Sequence, residues 1–237
     1  MTSARLKNFG KINRDKAISF TWDNKKYFGY EGDTLASALL ANDIKIIGRS
    51  FKYHRPRGIM SCGVEESGAV VTIGSESKTD PNVRATTQEL YSKLVAKGQN
   101  AFPNVNFDLG GINNYLSRFF AAGFYYKTFM GLPPFEWGKG TGIWMFFEKI
   151  IRKAAGMGTA SREPDPDNYE HAHDFCDVIV IGSGPAGVAA ALEIVNKKVN
   201  VILVEQDSLV GGDNLSEKNF DSKSIYNQLK NSGIKVM

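Results

Sequence analysis

The stretch that decides the fold is Cys176–Asp207, CDVIVIGSGPAGVAAALEIVNKKVNVILVEQD. DVIVIG is a continuous apolar run, as expected of a parallel strand buried on both faces. It enters GSGPAG, with Gly182, Gly184 and Gly187 in GxGxxG spacing. Gly182 permits the tight turn, Gly184 lets a pyrophosphate approach the backbone, and Gly187 lets a helix pack close to the strand. That helix is predicted over Ala186–Lys197, with Ala191 keeping the contact small. Its unpaired N–H groups and positive dipole end face the turn. A second strand, VNVILV, ends at Glu205. A carboxylate at that tip accepts hydrogen bonds from ribose hydroxyls and repels a 2′-phosphate, which favours NAD or FAD over NADP. Strand, glycines, helix, second strand and acid stand at consistent distances, a stronger signal than the glycines alone. The candidate dinucleotide-binding residues are Gly182, Ser183, Gly184, Pro185, Ala186, Gly187, Glu205, Gln206 and Gly212. Gly212 belongs to a Gly211-Gly212 pair that would lie close to the cofactor. SKSIYNQLKNSGIKVM then predicts another helix and the start of a third strand. A sheet of three strands leaves an edge open, so the expectation is a piece of a longer protein or a chain completed by another.

Upstream, AISFTWDNKKYFGY (17–30) predicts a β-hairpin turning at Asp23-Asn24. EGDTLASALLAN predicts a helix with Asp33 as N-cap and Leu35, Ala38 and Leu39 on one face. A strand follows at Ala69–Ile73. The order suits a small β-grasp domain or another α+β module. Thr86 and Glu89 read as a capping box for a helix ending at Gly98. Residues 100–140 lack periodicity, and Phe119, Phe120, Phe124, Tyr125, Tyr126 and Phe129 call for a surface to pack on. Residues 142–155 predict a basic amphipathic helix capped by Thr141, which packs on protein or, as the alternative, lies on a membrane. REPDPDNYEHAH (162–173) is a polar linker. The expected domains are 1–98, a connector at 99–173, and 174–237, in an α/β protein.

The chain has 237 residues, 42% hydrophobic and 23% charged, with a net charge of +4. Such mild charge does not point to nucleic acid. The N-terminus has no apolar leader segment, and no run approaches a spanning helix. Two cysteines, Cys62 and Cys176, make no disulfide framework, so the cytoplasm is the expected compartment. Both are read as structural, with Cys176 a small core residue. RSFKYHRPRG places Arg49, Lys52, His54, Arg55 and Arg57 between Phe51 and Tyr53. This suits a phosphate or carboxylate contact within a complex better than single-stranded nucleic acid. His171 and His173 are too few for a metal site. Adjacent Glu65 and Glu66 would point to opposite strand faces. The sequence yields no catalytic residue and no metal site.

The segments YEGDTLASALLAN, GRSFKYHRPRG, RATTQELY, AGFYYKTFM and PDPDNYEHAHDFCDVIVIGSGPAG closely resemble the α subunits of heterotetrameric sarcosine oxidases. The resemblance runs over nearly all of the chain and implies the N-terminal part of a longer subunit. It implies an assembly of α, β, γ and δ subunits that oxidatively demethylates sarcosine to glycine with oxygen and passes the one-carbon unit to tetrahydrofolate. FAD and FMN would sit on the β subunit. The dinucleotide held here would be NAD, with FAD as the alternative, and the missing remainder of the α subunit would bind folate. Related α subunits in opine, D-amino-acid or other secondary-amine dehydrogenases are the alternative, as is a non-catalytic scaffold with a vestigial nucleotide site. No nucleic-acid or membrane partner is implied. The resemblance also gives the N-terminal domain a [2Fe–2S] ferredoxin-like fold. The corresponding loop, MSCGVEESGAVV, offers only Cys62, whereas a cluster needs four thiolates. Cluster ligands are therefore expected to be absent. At Lys198, where relatives often carry Gly, a left-handed helix cap would cost roughly 1 kcal/mol.

Overall fold

The computed structural model describes residues 4–7, 10–119, 147–149, 151–152 and 158–237. The chain forms two compact units, one of Met1–Lys7 and Ile12–Pro166, the other of Asn8–Lys11 and Asp167–Met237. Each has its own hydrophobic core.

In the first unit, β1 (Asn13–Trp22) and β2 (Lys25–Glu31) form the hairpin. Asp23 and Asn24 take φ of 45° and 64°, the left-handed pair of a type I′ turn, whose twist matches that of the strands. Helix α1 (Leu35–Ala41) follows and buries Leu35, Ala36, Ala38 and Leu39. Its cap is Thr34, one residue later than expected. The Thr34 hydroxyl accepts the Ser37 N–H at 3.2 Å, and the Ser37 hydroxyl accepts the Thr34 N–H at 3.0 Å. Asp33 is used elsewhere: its buried carboxylate takes the Arg5 guanidinium, the Tyr30 N–H and the Ser37 hydroxyl.

A short ladder of β3 (Gly48–Arg49) and β4 (Pro56–Arg57) precedes β5 (Val70–Ile73), β6 (Asp80–Arg84) and β7 (Val95–Gly98). The main sheet runs β2-β1-β7-β5-β6. Strand β7 is parallel to β1 and antiparallel to β5. A hairpin, a helix and a late strand parallel to the first make the β-grasp arrangement. Phe20, Trp22, Leu35, Leu39, Ile47, Val71, Leu94 and Val105 form its core. Each large side chain there contributes about 1.5–3 kcal/mol.

The helix expected from Thr86 to Gly98 is not formed. Leu94 and Ala96 are buried while Val95 and Lys97 are exposed, a period of two that belongs to a strand. The slot beside β1 takes that strand, with Thr21 N–H donating to the Leu94 carbonyl at 2.8 Å and Asp23 N–H to that of Ala96 at 3.1 Å. The Thr86 hydroxyl donates to the Gly63 carbonyl at 2.6 Å instead of capping a helix. Gly98 is therefore no helix terminus but a point of close approach. A Cβ on it would stand 2.0 Å from Val105 Cγ1, and Val105 is fully buried. Residues following Gly98 thus pack onto the sheet, with a short helix α2 (Ile112–Tyr115). Phe119 is 73% exposed. Phe120, Phe124, Tyr125, Tyr126, Phe129 and Thr141 lie outside the described residues. Within the helix expected at 142–155, residues 147–149 and 151–152 are helical.

In the second unit, β8 (Val178–Ile181), α3 (Pro185–Val195), β9 (Val201–Val204), α4 (Ser222–Asn231) and β10 (Lys235–Val236) build a parallel sheet ordered β10-β9-β8. This is the 3-2-1 half of a doubly wound sheet. Val180, Val201 and Leu203 face Ala191 of α3 and Leu229 of α4. The expectation that β8 is buried on both faces does not hold for the described residues. Ile179 and Ile181, on its other face, are 56% and 82% exposed. Cys176 is an exposed free thiol rather than a core residue, and Cys62 is an exposed free thiol as well. Helix α3 starts at Pro185, whose missing N–H is no loss at N1. Its end leads to Lys198 at φ 58°, a left-handed position occupied by a non-glycine residue.

Candidate functional site: the glycine turn and its acidic tip

Strand β8 delivers the chain to Gly182, at φ 93°, a conformation that costs an L side chain energy and glycine almost none. Gly187 sits in the first turn of α3. A Cβ there would lie 2.0 Å from the Gly182 carbonyl oxygen, so its hydrogen is what brings helix and turn together. Gly184 is the N-cap, and no atom lies within 4 Å of where its Cβ would be. The N–H groups of Ala186 and Gly187 have no acceptor within the helix, as first-turn donors never do. Open space over Gly184, at the end of the helix that carries those donors, fits a pyrophosphate at a helix N-terminus. Gly212, at φ 54°, closes on this spot: its Cβ would meet Gly184 Cα at 3.0 Å.

Ser183 points inward. It is fully buried; its N–H donates to Glu205 Oε2 at 2.7 Å, and its hydroxyl donates to the same oxygen. That hydroxyl also accepts the Gly211 N–H at 3.0 Å. One serine thus ties glycine turn, acidic tip and Gly211-Gly212 loop together. Glu205 Oε1 accepts the N–H groups of Gln206 at 2.8 Å and Asp207 at 3.1 Å. Burial alone would push the Glu205 carboxyl up. The Ser183 hydroxyl and the N–H groups of Asp207, Ser183 and Gln206 outweigh it and hold the carboxyl below the usual glutamate range. Glu205 is an anion at neutral pH, positioned before any ligand arrives. Of the nine candidates, the structure brings Gly182, Ser183, Gly184, Pro185, Ala186, Gly187, Glu205 and Gly212 together, and Gln206 joins through its main chain. The role of Gly211 as a donor to Ser183 was not legible in the sequence, where a glycine pair is only a turn.

The basic segment is spent largely inside the first unit. Arg49 donates to the carbonyls of Val105, His54 and Asn106. His54, at φ 53°, places Nδ1 2.7 Å from Asp108 Oδ2. Arg55 lies over the Tyr53 ring, 4.8 Å from its centroid, and donates to Asn114. Lys52 stands 5.1 Å from the same centroid. Arg57 is exposed. Arg49 and His54 are therefore internal braces, not a free anion-docking set, because loop carbonyls and a buried aspartate claim them first. A recess of about 540 Å3 opens beside His54 and Asp108; none of the nine candidate residues reaches it.

Among the described residues no group of three or more His, Cys, Asp or Glu side chains could hold a metal ion. No helix among them is long and apolar enough to cross a membrane.

Two families match parts of the chain. One, described as a 2Fe-2S iron-sulfur cluster binding domain, covers residues 15–101. The other, FAD dependent oxidoreductase, covers residues 177–221. A sarcosine oxidase subunit alpha of Rhizobium meliloti (strain 1021) is 51% identical over 217 residues, 92% of this chain and 21% of its own length. One from Corynebacterium sp. (strain U-96) is 31% identical over 202 residues, 85% of this chain and 16% of its own length. A solved L-proline dehydrogenase from P. horikoshii overlaps 94% of this chain and 33% of its own, at 19% identity and a TM-score of 0.43. The chain spans about a fifth or less of the length of the curated relatives it matches.

The cysteines do not fit the iron–sulfur group. A [2Fe–2S] cluster takes four protein ligands, normally thiolates. The chain has two cysteines, and Cys62 and Cys176 belong to different units. The residues of the second unit do fit the pyrophosphate and ribose of a dinucleotide.

Proposed function

We propose, from a chain homologous over 92% of its length to a sarcosine oxidase α subunit, that its second unit holds the ADP half of a dinucleotide. Gly184, Ala186 and Gly187 present bare backbone to the pyrophosphate, and Glu205 takes the adenosine ribose. The observation that carries this reading is the open space over Gly184 beside a carboxylate already ionised and oriented. The dinucleotide is NAD, the one that the resemblance to sarcosine oxidase α subunits implies. The acid at the strand tip suits NAD and FAD equally, and the family matched at residues 177–221 favours FAD as the second reading. No residue of this chain is assigned to bond breaking.

The assembly served is a sarcosine oxidase. Its β, γ and δ subunits and the rest of the α subunit complete it, and flavins of the β subunit oxidise sarcosine to glycine with oxygen. The one-carbon unit passes to tetrahydrofolate. A related opine or secondary-amine dehydrogenase would share the dinucleotide site and differ in the amine oxidised. The test is to denature the purified complex and identify the released nucleotides by chromatography and mass. One NAD per chain, beyond the flavins, supports the reading. A further FAD in its place supports the second. No adenine nucleotide beyond the flavins of the partner overturns both.

A further inference from the structure

The loop from Gly58 to Ala69, between β4 and β5, holds most of MSCGVEESGAVV (60–71), the segment that the ferredoxin-like resemblance matches to a cluster-binding loop. It is organised around a carboxylate. Glu66 is 2% exposed. Its Oε2 accepts the N–H groups of Met60 at 2.7 Å and Ser61 at 2.8 Å. Its Oε1 accepts those of Gly68 and of Ala69, the latter at 3.0 Å. Arg84 donates to the main-chain carbonyl of Glu66, not to its carboxylate. Among the described residues the charge is thus met by peptide hydrogens alone. A carboxylate taken out of water costs several kcal/mol unless its lone pairs are filled, and here four amides converge on two oxygens. Burial would raise the Glu66 carboxyl, yet the N–H groups of Ser61, Met60, Gly68 and Ala69 hold it below the usual range. Backbone amides turned inward in this way form a concave anion site. A Cβ on Gly68 would lie 2.5 Å from the Gly58 carbonyl oxygen and 3.2 Å from Glu66 Oε1, so the loop closes tightly around its occupant.

We propose that the Gly58–Ala69 loop is an anion-binding nest whose ligand is the protein's own Glu66 carboxylate, an internal anion that organises the loop without an iron–sulfur cluster. In such a cluster the sulfurs are the hydrogen-bond acceptors. Here the acceptors are the two oxygens of Glu66, and the domain keeps its fold with no electron carrier. The nest selects small monocarboxylates by shape and charge, so removing the side chain opens it to an added one.

The test compares wild type, Glu66→Gln and Glu66→Ala in the full complex. Amide exchange at Met60, Ser61, Gly68 and Ala69 is followed first. Wild type protects all four, and Glu66→Gln speeds their exchange about tenfold or more, because it replaces charge-assisted bonds with an amide that also turns a donor toward two donors. Thermal unfolding is then followed with sodium formate or sodium chloride at matched ionic strength. Formate raises the midpoint of Glu66→Ala and leaves wild type unchanged. The proposal is overturned if the four amides of wild type exchange like open loop. It is equally overturned if Glu66→Gln exchanges like wild type, or if formate moves both proteins alike. Should Glu66→Ala not fold, the exchange comparison alone decides.

Discussion

Two glycines three residues apart separate the fold of the second unit from its ligand. For Gly187→Ala the added Cβ would sit 2.0 Å from the Gly182 carbonyl oxygen, against 3.4 Å for an ordinary contact. The helix must therefore withdraw by the difference, 3.4 − 2.0, about 1.4 Å in a close-packed interior. Overpacking of that kind costs about 1–3 kcal/mol, which lowers the melting midpoint. A shift of that size also takes the first-turn N–H groups out of hydrogen-bond range of a phosphate. Gly184→Ala is the reverse case. No atom lies within 4 Å of its Cβ, and its φ of −62° and ψ of 173° suit alanine. Losing glycine at the N-cap costs below about 1 kcal/mol. Its methyl, however, stands where the pyrophosphate must come. The assay pairs thermal unfolding with calorimetric titration of NAD and FAD into nucleotide-stripped complex. Gly187→Ala lowers both midpoint and affinity. Gly184→Ala keeps the midpoint within a few degrees and weakens binding about tenfold or more, the effect of a single clash. If Gly184→Ala binds as tightly as wild type, no pyrophosphate lies over that residue. If Gly187→Ala melts with wild type, the close approach of helix and turn is wrong.

Two further substitutions probe the backbone and the pH response. Burial raises the Asp23 carboxyl above its ordinary value, against the N–H groups of Gly98 and Val105 and the charges of Lys97 and Lys25, and its Oδ2 is buried without a partner among the described residues. An aspartate with a raised folded pKa costs stability once ionised, and the cost disappears as pH falls below its unfolded value. Asp23→Asn, which also suits the left-handed turn, therefore raises the chemical-denaturation midpoint at neutral pH. The gain is roughly 0.5 kcal/mol or less, because solvent screens this half-exposed group, and it vanishes in acid. A gain that persists unchanged in acid refutes the electrostatic account. Lys198→Gly relieves the left-handed cap at φ 58° and stabilises by a few tenths of a kcal/mol to about 1 kcal/mol, the looser unfolded chain offsetting part of the relief. A loss measured by urea unfolding would refute it.

The local signals of this chain were all short in range. The type I′ turn at Asp23-Asn24, the α1 face, the glycine spacing of Gly182 to Gly187, the acid at Glu205 and the left-handed cap at Lys198 depend on neighbours within one turn or one crossover. Periodicity and backbone sterics express such features directly, so residue order was enough to place them. Thr86 to Gly98 shows where that stops. A capping-box pattern and a strand alternation compete there, and the open slot beside β1, filled through Thr21 and Asp23, chose the strand. Ser183 was legible as part of a phosphate turn, but only the fold brought Glu205 and Gly211 to its hydroxyl. Arg49 and His54 read as part of a phosphate or carboxylate contact within a complex, but Val105, Asn106 and Asp108, more than fifty residues away, claim them. Glu66 carried no signal at all beside Glu65. A side chain becomes an internal anion only when four peptide N–H groups turn toward it, and which way a loop's amides turn is settled by tertiary closure rather than by residue type.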